Sequence, residues 1–132
     1  MWQHCHLKRR SCGIPKETFY NLPDEKQSRI IRAAEEEFTE YGYDLASIQR
    51  IIKNAGIPRG SFYQYFEDKA DLYLEILRII KDRKFQYMAP ALEHWQDLGF
   101  FEFLHLAVKL GFEFGRDYPG SMKIAEDFVS SK

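Results

Sequence analysis

Between Ala46 and Phe66 the chain has room for two short helices and little else, and the residues that separate them restrict the geometry. Ser47 suits the cap of the first, because a serine oxygen accepts a hydrogen bond from a backbone N–H that the opening turn leaves unpaired. Ile48, Ile51 and Ile52 then form the buried face, and this helix is expected to end near Asn54. Gly56 stands where a tight turn needs positive φ, and Pro58, with φ preset, restarts helical geometry almost at once. Two short helices joined in this way must cross steeply. The second, about Pro58 to Phe66, carries Phe62 and Phe66 four residues apart on its apolar side and leaves Arg59, Ser61, Tyr63 and Gln64 facing elsewhere.

The rest of the chain also reads as helix. Aromatics are plentiful, with 11 Phe and 8 Tyr, β-branched residues are few, and apolar positions recur at helical spacing, so the fold class is all-α. Pro23, Asp24 and Glu25 open a helix that buries Ile30, Ile31, Ala34, Phe38 and Tyr41, exposes Arg32, Glu35, Glu36 and Glu40, and stops at Gly42. Asp68 caps a long helix expected to reach about Met88, where Pro90 interrupts it, with a shorter helix to Trp95. From Gly99 to Gly115 the chain is apolar nearly all round, which predicts a helix buried on several sides. A last helix begins near Ser121, after Pro119. Residues 1 to 20 show no apolar period and read as a flexible N-terminal arm. The expected organisation is therefore an arm over 1–20, a three-helix domain over 21–67 and a partial helical domain over 68–132.

Net charge is -1, so only its distribution points to a partner. Residues 46 to 69 hold Arg50, Lys53, Arg59 and Lys69 against Glu67 and Asp68, whereas residues 24 to 45 hold three bases against seven acids. No apolar run approaches the roughly 20 residues that span a bilayer, and no signal peptide is evident, which predicts a soluble cytoplasmic protein without a membrane partner. His4, Cys5, His6 and Cys12 offer donors for zinc, but their spacing matches no known ligand set, and an unstructured tail with reduced thiols is the expectation, with neither metal nor cofactor. Lys8, Arg9 and Arg10 fit either a solvated run or an arm that follows a minor groove.

Helix-turn-helix motifs set their second helix in the DNA major groove while the first anchors on the backbone. The order Tyr41-Gly42-Tyr43, Ala46-Ser47-Ile48, Ala55-Gly56-Ile57, Gly60-Ser61-Phe62-Tyr63-Gln64-Tyr65-Phe66, Asp68-Lys69 and Leu72 resembles the signature of TetR-like transcriptional regulators over about 45 residues. The resemblance implies a double-stranded operator as partner, a small-molecule effector and a homodimer. It implies that Gln49 and Arg50 lie close to phosphates or a base edge, that Arg59 and Gln64 face bases and that Gly60 permits close approach. Ser61, Tyr63 and Tyr65 would donate to phosphates, and Lys69 would add a charge contact. Ser47 belongs to the same surface. Where the family commonly has an acidic residue completing a capping box with Ser47, this chain has Arg50, which removes the reciprocal cap.

Other readings stand beside this one. Tyr63 and Tyr65 also fit ordinary amphipathic positions, while Phe62 and Phe66 belong to the core by their spacing. His94, His105 and the Phe-rich helix fit an effector pocket or simply a packed core. No triad, paired carboxylate or phosphate loop appears, so an enzyme is not expected. Family members usually continue into further helices that complete pocket and dimer interface, so a truncated regulator or a helical interaction module that no longer binds DNA is the alternative expectation.

Overall fold

The computed structural model describes residues 15–131, which form α1 (Glu17–Tyr20), α2 (Asp24–Leu45), α3 (Ile48–Ala55), α4 (Arg59–Tyr65), α5 (Lys69–Glu93), α6 (Phe100–Asp117) and α7 (Pro119–Ser130), with no strand among them. His4, Cys5, His6, Cys12 and the Lys8-Arg9-Arg10 run lie outside the described residues. None of the described helices is long and apolar enough to cross a membrane.

Two compact units divide after Ile76, inside α5, and not at residue 67 as the capping signal at Asp68 suggested. The reason is that the first turns of α5 belong to the earlier core: Leu72, Tyr73 and Ile76 are buried. That core is filled by Phe19, Ile30, Phe38, Ile51, Phe62 and Phe66, each almost wholly removed from solvent. Phe62 and Phe66 pack with tilted rings at 5.4 Å between centroids, and Phe38 meets Tyr73 edge-on at 4.9 Å.

The local stop signals act as expected. Gly42 takes φ 70°, ψ 177°, a break that only glycine adopts without strain, so the helical register of α2 is interrupted there although helical hydrogen bonding resumes to Leu45. Gly56 takes φ 67°, ψ 38° and closes α3 in a Schellman turn, its N–H donating to Lys53 and that of Ile57 to Ile52. Space around both glycines is open, so conformation rather than crowding selects them.

Two expectations for the arm and for the later helices are corrected. Residues 17–20 are helical and Phe19 is buried against Phe66 at 5.0 Å, so order begins before Leu22; a single large ring with a core partner anchors what has no apolar period of its own. Pro90 does not end α5, which continues to Glu93. The lost N–H falls in the final turns, and the fully buried Ala91 holds the continuation.

In the second unit, Phe114 packs with Tyr87 and Tyr118 at 5.6 and 5.2 Å, Ile124 is buried, and Arg83 donates to the buried Ser121 at 2.7 Å. Here α6 departs from expectation most. Its sequence predicts burial on several sides, yet Phe100, Phe101 and Phe112 are 72%, 80% and 78% exposed, and Leu104 and Val108 are also exposed. One helix presents one face to its neighbours within this unit, and Phe114 occupies that face.

Candidate nucleic-acid interface

The site is built where α3 begins and α4 turns its outer face to solvent. Ser47 caps α3 by accepting from the Arg50 N–H at 3.4 Å. The reciprocal half of the capping box, absent from the sequence of α3 itself, comes from another helix: the Glu37 carboxylate of α2 accepts the Ser47 N–H at 2.8 Å. Its same oxygen binds Arg50, at 2.6 Å from Nη2 and 2.8 Å from Nε. Arg50 also donates to the Leu45 carbonyl and lies over the Tyr41 ring at 4.2 Å. The Glu37 hydrogen bond raises the already high Arg50 pKa, so the guanidinium stays charged throughout. A carboxylate that is 4% exposed is tolerable here because it is paired and hydrogen-bonded.

Helix α4 starts at Arg59 with no side-chain cap, since Pro58 has none to offer. At its other end every late carbonyl is satisfied. Phe62 accepts from the Phe66 N–H at 2.9 Å, and the remaining three accept from the segment before α2. Lys16 Nζ donates to Tyr63 at 2.7 Å, the Thr18 hydroxyl donates to Gln64, and the Lys16 N–H donates to Tyr65 at 2.9 Å. Sequence reasoning missed Lys16 and Thr18 altogether; the available signal was the aromatic pair Phe19-Tyr20 beside them.

At the start of α5, Asp68 caps as expected by accepting from the Asp71 N–H at 2.9 Å, and Asp71 accepts in return from the Glu67 N–H at 3.0 Å. Burial pushes the Asp71 carboxyl up from its ordinary range, against the pull of that N–H. Lys69 lies across the end of α2, donating to the Asp44 and Ala46 carbonyls at 3.1 and 3.3 Å and standing 4.7 Å above the Tyr43 ring.

Of the ten residues expected at the site, Ser47, Gln49, Arg59, Tyr63 and Lys69 line one open cleft of about 360 Å³ together with Ala46 and Ile48. The Arg59 side chain makes no hydrogen bond or ion pair with the other described residues. Gly60 and Gln64 are exposed on the same helix, Ser61 is half-buried, and open space surrounds Gly60. Three residues are engaged within the protein. Lys69 lines the cleft, but its ammonium donates to the Asp44 and Ala46 carbonyls. Arg50 is engaged with Glu37. Tyr65 is 5% exposed, its ring 6.3 Å from Phe19 with Lys26 at 5.8 Å, because position 65 lies on the core side of α4 together with Phe62 and Phe66.

Residues 30–76 match the family model described as bacterial regulatory proteins, tetR family. The chain is similar to the transcriptional regulator AcuR of Cereibacter sphaeroides, 46% identical over 48 residues, which is 36% of this chain and 22% of that one. It is 27% identical to the HTH-type transcriptional regulator RutR of Escherichia coli K12 over 99 residues, 75% of this chain and 45% of that one. A crystallised TetR-family transcriptional regulator from Chloroflexus aurantiacus J-10-FL superposes with a TM-score of 0.72 at 36% identity, covering 85% of this chain and 51% of the other. The chain thus spans between about a fifth and about half of the length of these relatives.

Proposed function

We propose that this chain, which carries the N-terminal domain of the TetR family over residues 30–76, is a sequence-specific DNA-binding transcriptional regulator. One observation carries the reading: Ser47, Gln49, Arg59, Tyr63 and Lys69, from three separate helices or their caps, converge on one open cleft beside the outer face of α4. An α-helix fits the major groove, and Arg59, whose side chain has no hydrogen-bond or ion-pair partner among the described residues, is suited to grip guanine O6 and N7 with two donors. In this reading Arg59 and Gln64 contact bases and Gly60 admits close approach. Ser47, Gln49, Ser61, Tyr63 and Lys69 contact the phosphate backbone. Arg50 positions α3 through Glu37, and Tyr65 belongs to the core.

We further propose that the chain acts as a repressor and a homodimer in the cytoplasm, with a small-molecule effector bound by the second unit and no catalytic activity. A single helix-turn-helix reads few base pairs, and two are needed to span half-sites about 34–36 Å apart.

Selection from a random duplex library tests the reading. The unaltered chain should enrich one sequence class. Arg59→Ala should then cost about 1–3 kcal/mol on the enriched duplex and less on random DNA, while Lys69→Ala should weaken both alike and reduce the salt slope by about one. Recovery of no preferred sequence would refute the assignment and leave a helical interaction module.

A further inference from the structure

The segment ahead of α2 is tied to α4 more closely than to anything near it in sequence. Lys16 and Thr18 satisfy the three last carbonyls of α4 across separations of 46 to 49 residues, and Phe19 is 2% exposed against Tyr65 and Phe66. Lys16 also pairs with Glu67 at 3.1 Å, just beyond α4. Tyr20 donates to the buried Glu75 of α5 at 3.3 Å, and Gln27 of α2 donates to the Tyr20 and Leu22 carbonyls. These residues precede the stretch that matches the family model, which begins at residue 30.

A seven-residue helix is far too short to persist alone, and α4 lacks a side-chain cap at its start. Its open C-terminal carbonyls are therefore the place where added bonds matter most. Thr18 and Lys16 bond to backbone atoms of Gln64 and Tyr63, and so leave both of those side chains on the exposed face.

We propose that Lys16 and Thr18 are positioning residues of the DNA-reading helix: α1 is a clasp that fixes the C-terminal turn of α4, and with it the direction of Tyr63 and Gln64. This rests on the DNA-binding reading for its functional consequence, but the clasp itself does not.

The test uses the full chain with Thr18→Val, which keeps the side-chain shape and removes the donor, and Thr18→Ser, which restores it. Hydrogen exchange at the amides of residues 62–66 should rise roughly fivefold in the valine variant and return in the serine variant, with the global melting midpoint little changed because Thr18 is exposed. Affinity for the duplex enriched by the unaltered chain should fall roughly fivefold, affinity for random duplex should hold, and the salt slope should stay constant because no phosphate contact is lost. Lys16→Met should act in the same direction. A fall of about one in its salt slope would make Lys16 a phosphate contact and overturn its positioning role. Unchanged exchange in Thr18→Val overturns the clasp. If no duplex is enriched, the DNA-binding reading fails, and exchange alone decides whether the clasp stands.

Discussion

The two units draw on the same aromatic repertoire and use it in opposite ways. Through Ile76, Phe19, Phe38, Phe62 and Phe66 are all at most 2% exposed; from Leu77 onward, Phe85, Phe100, Phe101 and Phe112 are 65% to 80% exposed and only Phe114 is buried. Hydrophobicity does not decide this by itself. The first unit offers each ring facing helices at several angles, so α2, α3, α4 and the start of α5 close around a common centre. In the second, α6 carries apolar residues around most of its circumference while its contacts within the unit occupy one side. Two polar contacts illustrate the contrast: Glu37 in the first unit is buried and shared between helices, whereas Tyr87 and Asp117 in the second meet in solvent.

The largest effect should come from the aromatic contrast. Phe66→Ala removes a fully buried ring and should destabilise the first unit by about 3–5 kcal/mol in denaturant unfolding. Phe101→Ser, at a site that is 80% exposed, should stay within about 0.5 kcal/mol and reduce binding of an apolar dye. Equal losses at the two sites would break the comparison.

A middle effect belongs to the shared carboxylate. Glu37→Gln keeps the shape but weakens bonds to the Ser47 N–H and to Arg50, and should cost about 1–2 kcal/mol in the same unfolding experiment. A neutral result would mean that α3 is capped well enough by Ser47 alone.

The smallest effect lies in the second unit and is read by pH. The Asp117 carboxylate, accepting from the Tyr87 hydroxyl at 2.6 Å, pushes that phenol up to about 12, and the same bond holds Asp117 below its ordinary range. A phenol whose pKa is higher in the folded state stabilises fully below the ordinary value of about 10, and the contribution disappears as pH rises through about 12. The carboxylate contribution, present above its ordinary value, is lost as pH falls through the lowered one. Ultraviolet titration of the unaltered chain and of Asp117→Asn should differ by one phenol, Tyr87, which ionises at lower pH in the variant. A titration identical in the two proteins would remove this contact from the comparison.

What was legible in the sequence is what acts over a few residues. Ser47, Gly42, Gly56 and Asp68 mark helix ends through their own chemistry, and Phe62 with Phe66 shows the buried side of α4 through spacing alone. The same spacing argument, applied to Tyr65, would have placed it inward; the expectation that it reaches a phosphate came from resemblance. Lys16, Thr18 and the Glu37–Arg50 pair were not legible, because their partners are fixed by the folded chain and not by sequence distance. Glu37 does fall at helical spacing with Ile30, Ala34 and Tyr41, on the apolar stripe of α2, but the stripe does not show which partners receive its charge. For α6, amphipathic reasoning identifies a helix with apolar surface to cover but cannot say what surrounds it.

The shared carboxylate has a kinetic consequence. Helix α3 is eight residues long, below the length at which isolated helices persist, and its capping N–H is satisfied by a side chain on α2. It therefore gains its full start only when α2 is already docked beside it. The order of events on refolding should follow, with α2 and its neighbours collapsing before α3 is protected from exchange. Substitution at Glu37 should slow refolding only if that docking is complete in the transition state; otherwise it should accelerate unfolding.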